Sequence, residues 1–201
     1  MQPTNMAQID SHAIATLRYI RASMEAAVSV AVPGSAGLAM GAVGLFAMVL
    51  SSVPGLREHW FSIWLLAAVV AAGAGSALIA APSLRELTWS AAPIRNFVFC
   101  LFPSLFAGAV MTAVLWSSGN LRAIPGTWLL LYGCALIAAS VPTTSKLAVM
   151  GGLFVVLSLF AFLLPASFQM AILGMGFGGL HVGFGFLMRR TNHGRQICHQ
   201  I

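Results

Sequence analysis

The chain has 201 residues, 59% of them hydrophobic and only 7% charged, with a mean hydropathy of +0.92; soluble domains run at roughly 45–50% apolar and about 25% charged. A soluble domain of this size could not bury so much apolar surface, and spans with short connections use up nearly the whole chain. The net charge of +6 comes from Lys and Arg residues scattered over the connections, which reads as a topology signal and argues against direct nucleic-acid binding.

Residues 1–31 carry Asp10, Arg18, Arg21 and Glu25 among Ile14, Leu17, Ile20, Met24 and Val28, a spacing that predicts a short amphipathic helix on the cytoplasmic membrane surface. The apolar run after Arg21 is longer than the core of a signal peptide and passes straight into a span, so it is expected to stay uncleaved. Residues 32–190 form the membrane domain. Val32-Pro33-Gly34 opens span one, about 34–53, whose Gly34, Gly37, Gly41 and Gly44 share one arc of the helix. Pro54-Gly55 ends it. Span two, about 61–81, has Trp60 and Trp64 placed as interfacial anchors and is expected to stop at Pro82.

Span three covers about 96–116 and closes on the turn cluster Ser117-Ser118-Gly119-Asn120. Span four follows Pro125-Gly126 over about 127–141 and is the shortest. Span five, 147–164, turns through Pro165-Ala166-Ser167 into span six, 169–190, and residues 191–201 form a cytoplasmic tail. The fold class is all-α: a bundle of six spans preceded by the amphipathic segment. Alternate connections hold Arg18, Arg21, Arg85, Arg95, Lys146, Arg189, Arg190 and Arg195 on one side, and only Arg57 and Arg122 on the other. That bias places both termini in the cytoplasm.

Span six, Gln169 to Arg190, contains one ionisable residue in its apolar length, His181. At 100° per residue Gly174, Gly178 and Gly185 fall on one face with His181, and Gly176, Gly179 and Gly183 on the opposite one. Small residues let neighbouring backbones approach closely in lipid, so two glycine faces predict a helix packed on both sides and the most buried of the six.

His181 is the one intramembrane candidate for function, because ionisable groups are expensive there. The alternative is a neutral imidazole that fixes packing by bonding a hydroxyl or carbonyl, with Tyr132 or Ser140 on span four, or Ser158 on span five, as available partners. A second histidine at similar depth, as a haem pair would need, does not occur in the sequence. Cys198 and the tail histidines offer three ligands and no fourth. Rhomboid intramembrane proteases also place a histidine on span six, but their GxSG serine motif has no counterpart in span four here. No paired intramembrane carboxylates, HExxH or phosphate loop occur, so no catalytic residue, metal or cofactor is expected.

Three stretches carry a resemblance: Arg18-Tyr19-Ile20-Arg21-Ala22-Ser23-Met24-Glu25-Ala26-Ala27 leading to Ala31-Val32-Pro33-Gly34, the run Pro125-Gly126-Thr127-Trp128-Leu129-Leu130-Leu131-Tyr132-Gly133, and Gly176-Phe177-Gly178-Gly179-Leu180-His181. Together they resemble an uncharacterised family of six-span membrane proteins from Acidobacteria and related bacteria, often encoded beside winged-helix transcriptional regulators. The chain departs from that pattern at Val28-Ser29-Val30 and in its Cys- and His-bearing tail. The resemblance implies a regulatory neighbour and carries no residue-level function.

The leading expectation is therefore a non-enzymatic membrane protein working through contacts with lipid, a cytoplasmic regulator or a larger membrane complex. Its docking face would be Arg18, Arg21, Arg85, Arg95, Lys146, Arg189 and Arg190. Helix packing would rest on Gly37, Gly41, Gly174, Gly178, Gly179 and Gly183. The second expectation is a small transporter or channel for an uncharged or weakly basic solute, with His181, partnered by Tyr132, lining the path. A cavity reaching His181 separates the two.

Overall fold

The computed structural model describes Ile14, Thr16, Leu17 and residues 33–85, 91–141 and 145–198, with side chains from 80 to 96 and beyond 189 left aside. The expected amphipathic segment lies outside the described residues apart from Ile14, Thr16 and Leu17, which are helical and exposed. Among the described residues every regular element is a helix: α1 Gly34–Ser52, α2 Trp60–Arg85, α3 Ala91–Ser117, α4 Ile124–Ser140, α5 Ser145–Leu163, and a composite α6. Helix α6 is built from Gln169–Leu173, a π-helical segment Gly174–Leu180, and His181–Cys198. Six helices are long and apolar enough to cross a membrane.

Several boundaries differ from the sequence reading, and proline accounts for most of the differences. Helix α2 runs past Pro82 to Arg85, since a proline in the last turn removes one backbone bond without ending the helix. Helix α3 begins before Asn96, at Ala91, because Pro93 sits in the first turn, where backbone N–H groups have no intrahelical partner. Pro103 lies inside α3; its missing donor is tolerable in a membrane helix whose neighbours absorb the local irregularity. Helix α4 starts at Ile124 with Pro125 in its first positions, so proline opens this helix from within. The stretch expected as a tail from residue 191 continues α6 to Cys198.

Short connections make successive helices antiparallel, and three of the joints wind through single 3-10 turns at Arg57–His59, Leu121–Ala123 and Ala166–Phe168. Polar bonds tie one end of the bundle together. Buried Gln169 at the start of α6 donates through Nε2 to the Arg122 carbonyl (2.8 Å) and the Ala161 carbonyl (3.4 Å), while the Arg122 guanidinium donates to the Leu164 carbonyl (3.2 Å).

Glycine sets the two closest seams. Along α1 and α6, a Cβ on Gly37 would stand 3.1 Å from the His181 carbonyl, one on Gly41 would stand 2.7 Å from the Val182 nitrogen, and one on Gly44 would stand 2.7 Å from the Phe177 backbone. Gly174, Gly178 and Gly185 answer from α6, where an added Cβ would overlap Met48, Leu45 and Leu38 respectively. Between α4 and α5 the contact is reciprocal: a Cβ on Gly133 would lie 2.7 Å from the Gly151 carbonyl, and one on Gly151 would lie 2.6 Å from the Gly133 carbonyl. Such contact yields van der Waals packing, the main attraction between helices in lipid. Helices α3 and α4 are clasped differently. Trp128 Nε1 donates to Thr112 Oγ1 (2.9 Å), which in turn donates to the Gly108 carbonyl (2.7 Å).

The second glycine face of α6 is corrected in part. Gly176 packs, with a Cβ there 2.7 Å from Leu129, but Gly183 has open space around it and Gly179 meets nothing nearer than Met175 at 4.0 Å. Span six is also not the most buried: 44% of the fourth span is buried against 39% of the sixth. Helix α4 packs along both α3 and α5, whereas the Gly179–Gly183 side of α6 has no neighbour among the described residues. Helices α2 and α3 are the least buried, at 6% each, and hardly touch one another along their lengths.

Candidate functional site

The π segment of α6 is the local feature from which the site grows. Its wider i, i+5 bonding shifts the phase of every side chain after it, so the constant 100° step used on the sequence no longer holds across Gly174–Leu180. The His181 backbone still runs along the glycine face, with its carbonyl against Gly37. Its side chain turns instead toward α4 and α5, where Tyr132 Oη lies 2.9 Å from Nε2. Of the available partners, the structure selects Tyr132. Ser140 and Ser158 bond carbonyls of their own helices, Ile137 and Val155.

An aromatic wall encloses this pair. The imidazole stacks at 6.3 Å on Phe177, which the π segment itself supplies, meets Phe154 edge-on at 5.6 Å, and lies 5.6 Å from the Tyr132 ring. Tyr132 in turn packs 5.0 Å from Phe154 and 5.2 Å from Phe177. Only 4% of His181 is exposed, and its Nδ1 is buried without a hydrogen bond among the described residues. The Gly176 and Phe177 carbonyls lie close to the ring. A proton on Nδ1 would face them and leave Nε2 as acceptor, so that the Tyr132 hydroxyl donates; the opposite tautomer reverses the bond.

The wall faces a cavity of about 510 Å³ in the middle of the bundle, bordered by all six helices. Its lining is aliphatic and aromatic, with Tyr132, His181, Trp60, Trp64, Trp128 and Ser76 as the polar contributors and no charged side chain among the described residues. Trp64 is corrected by this placement. It packs 6.2 Å from Phe177 and borders the cavity, and its Nε1 is buried without a partner among the described residues, so its N–H does not face outward as an interfacial anchor's would.

Sequence reading brought out His181 and Tyr132, and the structure joins them. It missed Phe177, Phe154 and Trp64. The signal for Phe177 was present in Gly174-Met-Gly-Phe177-Gly-Gly, where it is the one aromatic among the glycines.

The docking face is a different matter. The side chains of Arg18, Arg21, Arg85, Arg95 and Arg190 lie outside the described residues. Of the seven, Lys146 and Arg189 have described side chains, and both are engaged within the chain. Among the described residues no cluster of three or more metal-ligating side chains occurs. Comparison with family models, with curated proteins and with solved structures finds no match to this chain.

Proposed function

We propose that this membrane protein binds a small uncharged molecule in the cavity beside Tyr132 and His181, and serves as a carrier or receptor for it without covalent chemistry. The reading places the chain in a bacterial inner membrane with both termini cytoplasmic. The observation that carries it is the cavity itself, which reaches the one ionisable residue within the sixth span. A helix bundle held by contacts alone needs no such void, since interiors normally pack to crystal-like density. Its volume falls in the range of small-molecule pockets, and an apolar wall with a few convergent polar groups is their usual make-up. The described lining carries no charge, which favours a neutral ligand over an ion, since an ion would lose its hydration without compensation there.

The test uses 8-bromooctan-1-ol as a quencher of tryptophan fluorescence in the full chain reconstituted in liposomes. Trp60, Trp64 and Trp128 border the cavity, so a saturable quenching component is expected above the linear background from the bilayer. Ala68 also borders it, and Ala68→Phe is expected to abolish the saturable component. Purely linear quenching in both proteins would contradict a binding cavity.

A further inference from the structure

We propose, on the reading that the cavity is a binding site, that its ligand is an uncharged amphiphile of the lipid phase, which enters sideways from the bilayer between α2 and α3. The cavity is lined from α2 by Leu65, Ala68 and Ala72, and from α3 by Val98, Leu101 and Leu105, yet these two helices hardly meet. Leu65 and Val98 border the cavity and are each 52% exposed. Because α2 and α3 leave that side unclosed among the described residues, Leu65 and Val98 lie along an opening.

The opening lies in the apolar flank of the bundle. On the outward side of the same helices Leu66 is 66% exposed and Phe102 is 60% exposed, surfaces that belong against acyl chains. Because each helix satisfies its own backbone bonds, a gap between two helices can face hydrocarbon without exposing unpaired backbone groups. Where α2 begins and α3 ends, Phe61 and Trp116 meet at 4.8 Å between ring centroids, closing the slot at that end.

The polar groups inside fix the ligand's chemistry. The Tyr132 hydroxyl commits one bond to His181 and, having one donor and two acceptor sites, retains capacity for another. A hydroxyl or carbonyl head group meets that hydroxyl, while the aliphatic lining from α2 and α3 takes an apolar body. A fully water-soluble solute would gain nothing from that lining, and a charged one would find no counter-ion among the described residues.

Lipid-phase photolabelling of the liposome-reconstituted full chain tests the route. An iodophenyl diazirine that partitions into the bilayer is expected to label Tyr132 and Phe177 as well as outward Leu66, whereas a charged, membrane-impermeant diazirine leaves Tyr132 and Phe177 untouched. Filling the cavity with Ala68→Phe, or separately with Ala72→Leu should the first variant misfold, is expected to reduce labelling at Tyr132 and Phe177 to background and leave Leu66 unchanged. Labelling of Tyr132 and Phe177 by the charged probe alone would overturn lateral entry while leaving the binding cavity standing. Labelling by neither probe would overturn both readings. Labelling that persists undiminished in folded cavity-filled variants would show another route and overturn the slot between α2 and α3.

Discussion

At the scale of single residues, the energetics turn on how the imidazole of His181 is satisfied. Its Nε2 bond to Tyr132 is the one side-chain hydrogen bond the ring makes, and removing one member of a buried pair strands the other at about 1–3 kcal/mol. Tyr132→Phe and His181→Leu are each expected to destabilise the protein by about that amount in reversible unfolding in bicelles. Glutamine offers both a donor and an acceptor, so His181→Gln is expected to lose less than His181→Leu. The double variant Tyr132→Phe with His181→Leu should cost less than the sum of the two, because each removes the same bond. Full additivity would show that the bond contributes nothing to stability. The histidine was legible in the sequence, and with it the need for a polar partner, since a lone ionisable group in an apolar span demands one. Which hydroxyl it would be was not legible: the choice depends on the phase shift at Gly174–Leu180, and a glycine-rich run does not announce a π turn.

At the scale of helices, glycine position decides where bulk is tolerated. Gly178→Leu places a side chain into Leu45 of α1, overpacking that costs about 1–3 kcal/mol or more when the facing element is backbone and cannot yield. Gly179→Leu and Gly73→Leu enter open space and are expected to be nearly neutral. Within one pair of neighbours on α5, Gly151→Leu should prevent folding where Gly152→Leu does not, since Gly151 abuts Gly133 and Gly152 has nothing within reach. Folded yield and unfolding midpoint in detergent measure both comparisons; equal tolerance across either pair would contradict the seams described. The α1 glycine arc was readable from spacing alone because α1 is a regular helix over Gly34–Ser52. The Gly179 and Gly183 face of α6 was misread because a stripe of small residues shows where a neighbour could fit, and nothing in the sequence says whether one is there. The Gly133 and Gly151 seam escaped notice for the converse reason: each is a single contact glycine without a stripe.

For the whole molecule, the six spans follow from hydropathy, although the prolines taken as stops misplaced several of their boundaries, while the cavity could be read from neither, since it arises from what α2 and α3 leave unfilled. Orientation rests on the bias of basic residues: reporter fusions after Ala123 and Gln200 are expected to read outside and inside respectively, and an exported signal from the second would reverse the topology. The most direct measurement of the binding cavity is native mass spectrometry of the full chain released from bacterial membranes. A discrete adduct of one drug-sized uncharged molecule is expected on the wild-type protein, lost in Ala68→Phe and diminished in Tyr132→Phe. Bare protein, or phospholipid adducts carried equally by the wild type and both folded variants, would contradict it.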